Sequence, residues 1–185
     1  MSITVTLEFT PNPDTLKYTV SQPLLERPAA YEFTDAALTE GAPLAAALFA
    51  VEGVKGVMIA QDFVTVTVTG QSMLGPVNSA MLKEIPAHLE AGLPVVTSDY
   101  EPPSDHGEDN SQIAQQIKSI LDQSVRPAVA RDGGDIVFNR FEDGIVYLEL
   151  KGSCSGCPSS TATLKMGIEH HLREMIPEVQ QVEAV

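Results

Sequence analysis

An acidic segment at residues 98–111 limits the architecture more than any other part of the sequence, because it divides the chain in two. It contains five carboxylates, two prolines and no lysine or arginine. A stretch of this composition buries too little apolar surface to offset the entropy lost on ordering. We therefore predict a mobile linker here, a domain at 1–97 and a second domain at 112–185, each able to bury a modest core. His106 lies within the linker, where a single histidine is more consistent with no function than with a ligand role.

The charge of the chain argues against two classes of partner. The formal net charge is −14, whereas nucleic acids and anionic membrane surfaces both require a basic face. No run approaches the roughly 18 apolar residues of a membrane-spanning helix. The first residues alternate like a strand and resemble neither a secretory signal nor a transit peptide. We therefore expect a cytoplasmic protein without nucleic-acid or membrane partners.

The first domain shows the two-residue periodicity of half-buried strands. Apolar and polar residues alternate over 3–9 and again over 16–20, around a turn cluster at 11–14, which predicts an antiparallel hairpin. The remaining pattern predicts, in order, a strand at 31–33, a helix at 43–51, a second hairpin at 57–69 and a helix at 76–91. Pro86 is expected to kink or interrupt that helix, and His88 is expected on its solvated face. The domain is predicted to be a small α+β unit that carries no catalytic motif.

The second domain is predicted to follow the order α-β-β-α-β. Its first helix comes after three residues that can cap it, ending in Ser111, and ends or bends at Pro127. Two strands follow at 136–141 and 145–151, joined by a turn at 142–144. A helix from Pro158 to Met175 and an edge strand within 179–185 complete the domain. The whole chain is thus predicted to be α+β, with two small α/β-sandwich-like domains joined by an acidic linker.

The only two cysteines, Cys154 and Cys157, lie in one loop with the sequence Gly-Ser-Cys-Ser-Gly-Cys-Pro-Ser-Ser. Their spacing lets both sulfur atoms face one site. Pro158 suits the first position of a helix, which places Cys157 at a helix N-terminus, where amides and the dipole stabilise a thiolate. The glycines let backbone amides approach the sulfur atoms, and the serines, Ser153 among them, keep the rim small and polar. We predict that Cys154 and Cys157 bind a metal or cofactor.

Three kinds of chemistry are compatible with such a pair. A dithiol–disulfide oxidoreductase would use the thiols as attacking and resolving groups, although a thioredoxin-like motif is expected to open the first helix of a βαβ unit. A zinc site needs four ligands, and at most one of His170 and His171 could face it, because adjacent helical residues diverge by about 100°. An iron–sulfur cluster usually takes four thiolates, which two copies of the loop across a two-fold axis would supply.

The ligand count favours the third chemistry in the form of a carrier. A cluster shared by a homodimer is exposed and is lost when the dimer opens, which suits a carrier better than an electron-transfer protein. We therefore hypothesise an iron–sulfur carrier that is not an enzyme, with the dithiol oxidoreductase as the alternative.

Further residues resemble a known family. Residues 132–135 (Asp-Gly-Gly-Asp), the cysteine loop and residues 176–179 (Ile-Pro-Glu-Val) resemble the C-terminal domain of NifU-like (Nfu) iron–sulfur cluster carriers. Residues 9–17, together with the Gly-Val pairs at 53–54 and 56–57, resemble the N-terminal domain of the same family. The resemblance covers nearly the whole chain apart from the linker.

This resemblance implies assembly of a [4Fe–4S] cluster, or in a second form a [2Fe–2S] cluster, and its delivery to apo-proteins. Cys154 and Cys157 would be the ligands, and the loaded form would be a homodimer. The implied partners are an iron–sulfur donor scaffold and apo iron–sulfur proteins. Members of the family occur in bacteria and mitochondria, and the lack of a transit sequence favours a bacterial cytoplasm. The resemblance gives Asp132 and Asp135 no ligand role, and we interpret both as turn and helix-stop residues.

Overall fold

The computed structural model describes residues 3–26, 29–100, 111–155 and 158–185, with the side chains of 158–160 outside that description. The chain forms two compact units, Met1–Glu101 and Pro102–Val185. Each unit packs helices against a sheet, so the predicted α+β class is confirmed. Within the described residues, no helix has both the length and the apolar character that crossing a membrane requires.

The first unit contains a five-stranded antiparallel sheet in the order β1-β2-β5-β4-β3. Both predicted hairpins form, because β1 pairs with β2 and β4 pairs with β5. The turn of the first hairpin is stabilised by Thr10, whose hydroxyl donates to the carbonyls of Asn12 and Thr15, each at 2.9 Å. The strands are β1 (Val5–Phe9), β2 (Thr15–Val20), β3 (Tyr31–Phe33), β4 (Val54–Ile59) and β5 (Phe63–Val68).

Two helices, α1 (Pro43–Phe49) and α2 (Leu74–Glu90), pack against the apolar face of this sheet. Short 3₁₀ turns at Ala36–Leu38 and Gln71–Met73 precede them. The alternation of apolar residues along β2, β4 and β5 supplies one side of the core, and the helical spacing of apolar residues in α1 and α2 supplies the other. The predicted elements of this unit are therefore all present.

Helix α2 differs from the sequence prediction at two residues. Pro86 does not interrupt it. The hydrogen bond that proline removes is to the carbonyl of Leu82, and Leu82 lies on the exposed side of the helix, with 39% of the residue exposed, where water can replace the missing donor. His88 is 7% exposed and not solvated as predicted, and its Nε2 lies 2.9 Å from the carbonyl of Pro94. This polar partner beyond the helix end allows a histidine to be buried.

The start of the predicted linker packs against the first unit. The ring of Tyr100 meets that of Tyr31 edge-on, with centroids 5.3 Å apart, and its N–H donates to the carbonyl of Thr97 at 3.0 Å. Residues 101–110, which include His106, lie outside the described residues. The domain limits at 97 and 112 stay predictions, and the packing of the first unit extends to Tyr100.

The second unit begins with α3 (Gln112–Ile120), which Ser111 caps by accepting a hydrogen bond from the N–H of Ala114 at 3.2 Å. A π-helical turn at Leu121–Val125 connects α3 to α4 (Arg126–Arg131). Pro127 is the second residue of α4, directly after this turn. Of the two predicted outcomes, an end or a bend, the first is wrong, because the helical path continues through Pro127 as far as Arg131.

A three-stranded sheet of β6 (Gly134–Glu142), β7 (Ile145–Gly152) and β8 (Gln181–Ala184) has β7 at its centre. Strands β6 and β7 form a hairpin around Asp143 and Gly144, whose φ angles of 50° and 82° are those of a type I′ turn. Helix α5 (Pro158–Met175) then leads to β8, which runs parallel to β7. Apart from the divided first helix, the order is the predicted α-β-β-α-β.

The core of this unit departs from the sequence pattern at two residues. The helical spacing that begins with Ile168 and Leu172 predicts Met175 in the buried stripe of α5, yet Met175 is 60% exposed, because the helix ends there and Ile176 occupies the buried position. The alternation of apolar and polar residues along β7 predicts Lys151 on the polar face, yet only 5% of its surface is exposed. The remaining apolar stripe of α5 packs on the sheet through Ile168 and Leu172.

Side chains bind backbone groups at both outer edges of this sheet. Nη2 of Arg126 donates to the carbonyl of Ile136 in β6 at 3.0 Å. A carboxylate oxygen of Glu169 accepts a hydrogen bond from the N–H of Val182 in β8, also at 3.0 Å. Edge strands whose backbone groups are already bonded are less able to pair with a strand from another chain.

Candidate functional site

Cys154 lies in the short connection between the central strand β7 and helix α5. Strand β7 ends at Gly152, whose φ of 66° suits glycine. The carbonyl of Gly152 accepts a hydrogen bond from the N–H of Ser155 at 3.1 Å, which folds the residues between them into a tight turn. Helix α5 begins at Pro158, as predicted. Gly156 and Cys157 lie outside the described residues, so the placement of Cys157 at the helix N-terminus stays a prediction.

The side chain of Cys154 is buried against the end of the sheet. It is 7% exposed and belongs to the core of the second unit. Its Sγ faces Gly134, the first residue of β6, and a Cβ built on Gly134 would lie 2.5 Å from that sulfur atom. Gly134 pairs with Gly152 across β6 and β7. Both strands therefore lack a side chain at the place where the thiol packs.

Two hydroxyl groups fix the backbone around Cys154. Oγ of Ser153 donates to the carbonyl of Asp132, and the N–H of Ser153 donates to the carbonyl of Gly133 at 3.1 Å. Oγ1 of Thr161, in the first turn of α5, donates to the carbonyl of Cys154 at 3.0 Å. The loop is thus connected on one side to the turn after α4 and on the other to α5.

Sequence reasoning missed the supporting residues of the loop. Ser153 was predicted on a polar rim, yet it is 2% exposed and lies below the loop surface. A serine can occupy this buried position because the carbonyl of Asp132 satisfies its hydroxyl. Thr161 carried no signal in the sequence, since its role depends on the fold bringing α5 back to the loop.

Burial raises the pKa of the Cys154 thiol. The contact with Ser153, whose Oγ lies 4.0 Å from Sγ, lowers that pKa, and the nearby carboxylates of Asp132 and Asp135 raise it. The protonated thiol is therefore favoured in the protein without a bound metal. The thiolate is the reactive form both as a nucleophile and as a metal ligand, so Cys154 must lose its proton in either role.

An ion pair between a buried aspartate and a partly exposed arginine lies beside this loop. Asp135 is 7% exposed, and its Oδ1 lies 3.0 Å from Nε of Arg126. Nη1 of the same arginine lies 2.9 Å from Oδ1 of Asp122. Burial raises the pKa of Asp135, and the guanidinium of Arg126 opposes that shift. The predicted turn role therefore fits Asp132, which ends α4. It does not fit Asp135, which is a strand residue in an ion pair.

The two histidines considered as ligands lie about three turns along α5 from its start. His170 is exposed, with its Nε2 3.4 Å from Oε1 of Glu174. His171 is half-buried, and its Nε2 has no hydrogen-bond partner within the described part of the chain. Over the described ranges, no three His, Cys, Asp or Glu side chains converge as a metal site would require.

Two family models match the chain, one in each unit. The model described as "Scaffold protein Nfu/NifU N terminal" matches residues 5–92, and the model described as "NifU-like domain" matches residues 117–183. A human protein named "NFU1 iron-sulfur cluster scaffold homolog, mitochondrial" is 42% identical over 180 residues, which are 95% of this chain and 69% of that protein. The chain belongs to the Nfu family. The resemblance stated from the sequence is thereby confirmed.

Other Nfu relatives match along the full length of the chain. A Drosophila erecta protein of the same name is 40% identical over 186 residues, and this chain spans 65% of the length of that relative. A solution NMR structure of a NifU-like protein from Saccharomyces cerevisiae aligns with 52% of this chain and 87% of that chain. Its sequence identity is 22% and its TM-score 0.44, which is too weak a match to support a conclusion.

The predicted bacterial cytoplasmic location is wrong. The Nfu relatives from human and Drosophila that match this chain are named mitochondrial proteins. The prediction rested on the first residues of the chain. Because the Drosophila relative is longer than this chain, those residues carry no information about targeting.

Proposed function

We propose that this Nfu-family chain is a scaffold and carrier for iron–sulfur clusters and not an enzyme, with Cys154 and Cys157 as the ligands. Relatives named iron–sulfur cluster scaffold homologs support this class of function. The observation that carries the assignment to the loop is the fixed position of Cys154, in a hydrogen-bonded turn that leads directly to the start of α5. The positive end of a helix stabilises thiolates, and it would also stabilise the negative charge of the cluster that they bind.

In this proposal the cluster is cargo shared by two copies of the chain. The chain has two cysteines, and an iron–sulfur cluster usually takes four thiolates, so a second copy across a two-fold axis completes the set. On each edge strand one outward backbone group, the carbonyl of Ile136 or the N–H of Val182, is already bonded to a side chain, which makes these edges less favourable for strand pairing with the second copy. We expect a [4Fe–4S] cluster, with a [2Fe–2S] cluster as the second form.

A ligand set divided between two chains supports delivery as well as binding. When the copies separate, each retains too few thiolates to keep the cluster, so an acceptor with a complete set of cysteines can take it. The partners in this proposal are an iron–sulfur donor scaffold and apo iron–sulfur proteins. The net charge of −14 is compatible with protein partners and unfavourable for nucleic acid.

Loading is tested by anaerobic reconstitution of the full chain with ferrous iron and sulfide. We expect a brown protein with about two irons per chain, and no bound iron in Cys154→Ala or Cys157→Ala. Ser155→Ala is the matched control in the same loop and should still bind iron, since it removes the hydroxyl that donates to the Gly152 carbonyl at 2.8 Å and keeps the N–H that closes the turn. A colourless parent protein, or one that holds zinc without acid-labile sulfide, would contradict the proposal.

Delivery is tested by mixing the loaded protein with a purified apo-protein whose activity requires a [4Fe–4S] cluster, in the presence of an iron chelator. Activity should return with the loaded protein and not with equal amounts of free iron and sulfide. Absence of recovery would contradict the carrier role. Catalytic disulfide reduction that both Cys154→Ala and Cys157→Ala abolish would instead favour the dithiol oxidoreductase.

A further inference from the structure

We propose that Gly134 is a positioning residue for Cys154. Because Gly134 has no side chain, Sγ of Cys154 packs directly against its backbone. In this proposal, that contact sets the orientation in which the thiol binds its metal. The inference rests on the proposed role of Cys154 as a cluster ligand. It adds Gly134, the first residue of β6 and twenty positions before Cys154 in the chain, to the residues that fix the geometry of the loop.

The distances around Gly134 leave no room for a side chain. A Cβ at this residue would lie 2.5 Å from Sγ of Cys154, 3.1 Å from Cβ of Cys154 and 2.9 Å from the carbonyl oxygen of Lys151. Two of these three atoms belong to Cys154. The nearest atom, Sγ, belongs to a side chain that can rotate, whereas the carbonyl of Lys151 belongs to the backbone of β7, so we expect the cysteine side chain to move first.

The backbone conformation does not explain the glycine. Gly133 and Gly152 have positive φ angles of 79° and 66°, which favour glycine whatever the space around it. The φ of Gly134 lies outside that left-handed region, so an alanine could adopt the same backbone. The requirement at Gly134 is one of space, which Sγ of Cys154 fills together with the carbonyl oxygen of Lys151.

The sheet geometry shows why the thiol needs this surface. Gly134 lies on the same face of β6 as Ile136 and Phe138, which both belong to the core of the unit. Opposite it stands Gly152, also without a side chain. The position that a core side chain would otherwise fill is open, and Cys154 occupies it from the loop.

A methyl group at Gly134 would force a choice between moving the side chain and moving the loop. The backbone of the loop is bonded through Ser153 to the turn after α4 and through Thr161 to α5. The side chain of Cys154 is held by packing alone, apart from its 4.0 Å contact with Ser153. We therefore expect Sγ to rotate away from β6 and become more exposed.

The first test uses the protein without metal. In the full chain carrying Cys157→Ser, Cys154 is the only thiol, and its alkylation by iodoacetamide is followed at one pH. Gly134→Ala should raise the alkylation rate about fivefold or more, because the thiol leaves its buried position. Gly167→Ala is the matched control, since nothing lies within 4 Å of the added Cβ, and its rate should be unchanged. Equal rates for Gly134→Ala and the control would overturn the proposal.

The second test asks whether the two residues are coupled. Gly134→Ala is compared in the parent chain and in Cys154→Ala by urea unfolding. The shift in midpoint should be smaller in Cys154→Ala, because the closest atom has been removed. Equal shifts would mean that the carbonyl of Lys151 is the obstacle, which would overturn the proposal. If Gly134→Ala alone does not fold, the double variant Gly134→Ala/Cys154→Ala should again unfold cooperatively. A double variant that also fails to fold would overturn the proposal.

The third test separates the positioning role from the proposed function. Anaerobically reconstituted Gly134→Ala should show an altered visible circular dichroism spectrum and lose its cluster to a chelator several-fold faster than Gly167→Ala. A parent protein that loads, together with a Gly134→Ala variant of identical spectrum and lifetime, would overturn the positioning role and leave the proposed function intact. If the parent protein never binds a cluster but Gly134→Ala still alters the alkylation rate, the proposed carrier function is refuted. The contact between Gly134 and Cys154 is then still supported.

Discussion

The hydroxyl of Thr161 donates a 3.0 Å hydrogen bond to the carbonyl of Cys154. This bond joins the first turn of α5 to the residue that we propose as a ligand, and it closes the loop between them into a ring. Because a side chain makes the bond, it can be removed without changing the backbone. It is therefore the most accessible point at which to loosen the loop.

Thr161→Val should loosen the loop and Thr161→Ser should not. Valine keeps the shape of threonine but loses the donor, so the carbonyl of Cys154 loses a partner, at a cost of about 1 kcal/mol in the free energy of unfolding. Urea unfolding measures that cost, and chelator challenge of the reconstituted protein measures cluster lifetime, which should be shorter in the valine variant. Equal behaviour of the two variants would show that the hydrogen bond does not support the loop.

Arg126→Met should destabilise the second unit by leaving the carboxylate of Asp135 buried without its guanidinium partner. We expect a loss of about 2 kcal/mol, below the range for fully buried pairs because Arg126 is one-third exposed. Adding Asp135→Asn should recover part of the loss, because an amide is cheaper to bury than a carboxylate. Urea midpoints of the two single variants and the double variant measure the coupling. Strict additivity would contradict the ion pair.

Glu8 predicts a pH dependence of the stability of the first unit. A hydrogen bond from Lys17, with Nζ 2.9 Å from Oε2, and one from Thr19 hold the pKa of Glu8 below its usual 4.5. A carboxyl with a lowered folded-state pKa adds stability above its ordinary pKa, and that stability is lost as the pH falls through the folded-state value.

The Glu8→Gln variant tests this dependence, because glutamine keeps an acceptor for Thr19 and cannot titrate. Thermal unfolding of parent and variant is followed from neutral pH down to values below 4.5. The parent should be the more stable protein at neutral pH, and the difference should shrink in acid, modestly because Glu8 is partly exposed. A difference that stays constant with pH would contradict the assignment.

His88→Ala should destabilise the first unit by about 2 kcal/mol, because it removes a buried ring and leaves the carbonyl of Pro94 without its partner. His170→Ala is the matched control on an exposed helix face and should change the unfolding free energy by less than about 0.5 kcal/mol. Urea unfolding of both variants measures the contrast. Equal small effects would mean that His88 is solvated, as its sequence context suggested.

The sequence was sufficient for most elements because their patterns are local. The alternation around Val64 and Val66 in β5 needs no knowledge of the rest of the chain, and the same holds for the proline that starts α5 at Pro158. The register of β6 and β7 can also be predicted by counting residues outward along both strands from the turn at Asp143 and Gly144. This count places Gly134 opposite Ser153. A bulge between Phe138 and Arg140 shifts that partner by one residue to Gly152, and nothing in the sequence marks the bulge.

The environment of the candidate site was not predictable in the same way, because it depends on partners from distant segments. Ser153 is buried because the carbonyl of Asp132 accepts its hydroxyl, and Asp135 is buried because Arg126 pairs with it. Local pattern assigns each of these polar residues to the surface. The loop itself was recognisable from its two cysteines, whereas the packing of Cys154 against Gly134 required the fold.

The mass of the loaded protein tests the central claim most directly. Native mass spectrometry of the full chain after anaerobic reconstitution reports the number of chains and the number of iron and sulfide atoms in one measurement. We expect two chains with one [4Fe–4S] cluster, and separate iron-free chains after chelation. A single chain that carries a complete cluster, or a dimer that carries no iron under any reducing preparation, would contradict the account.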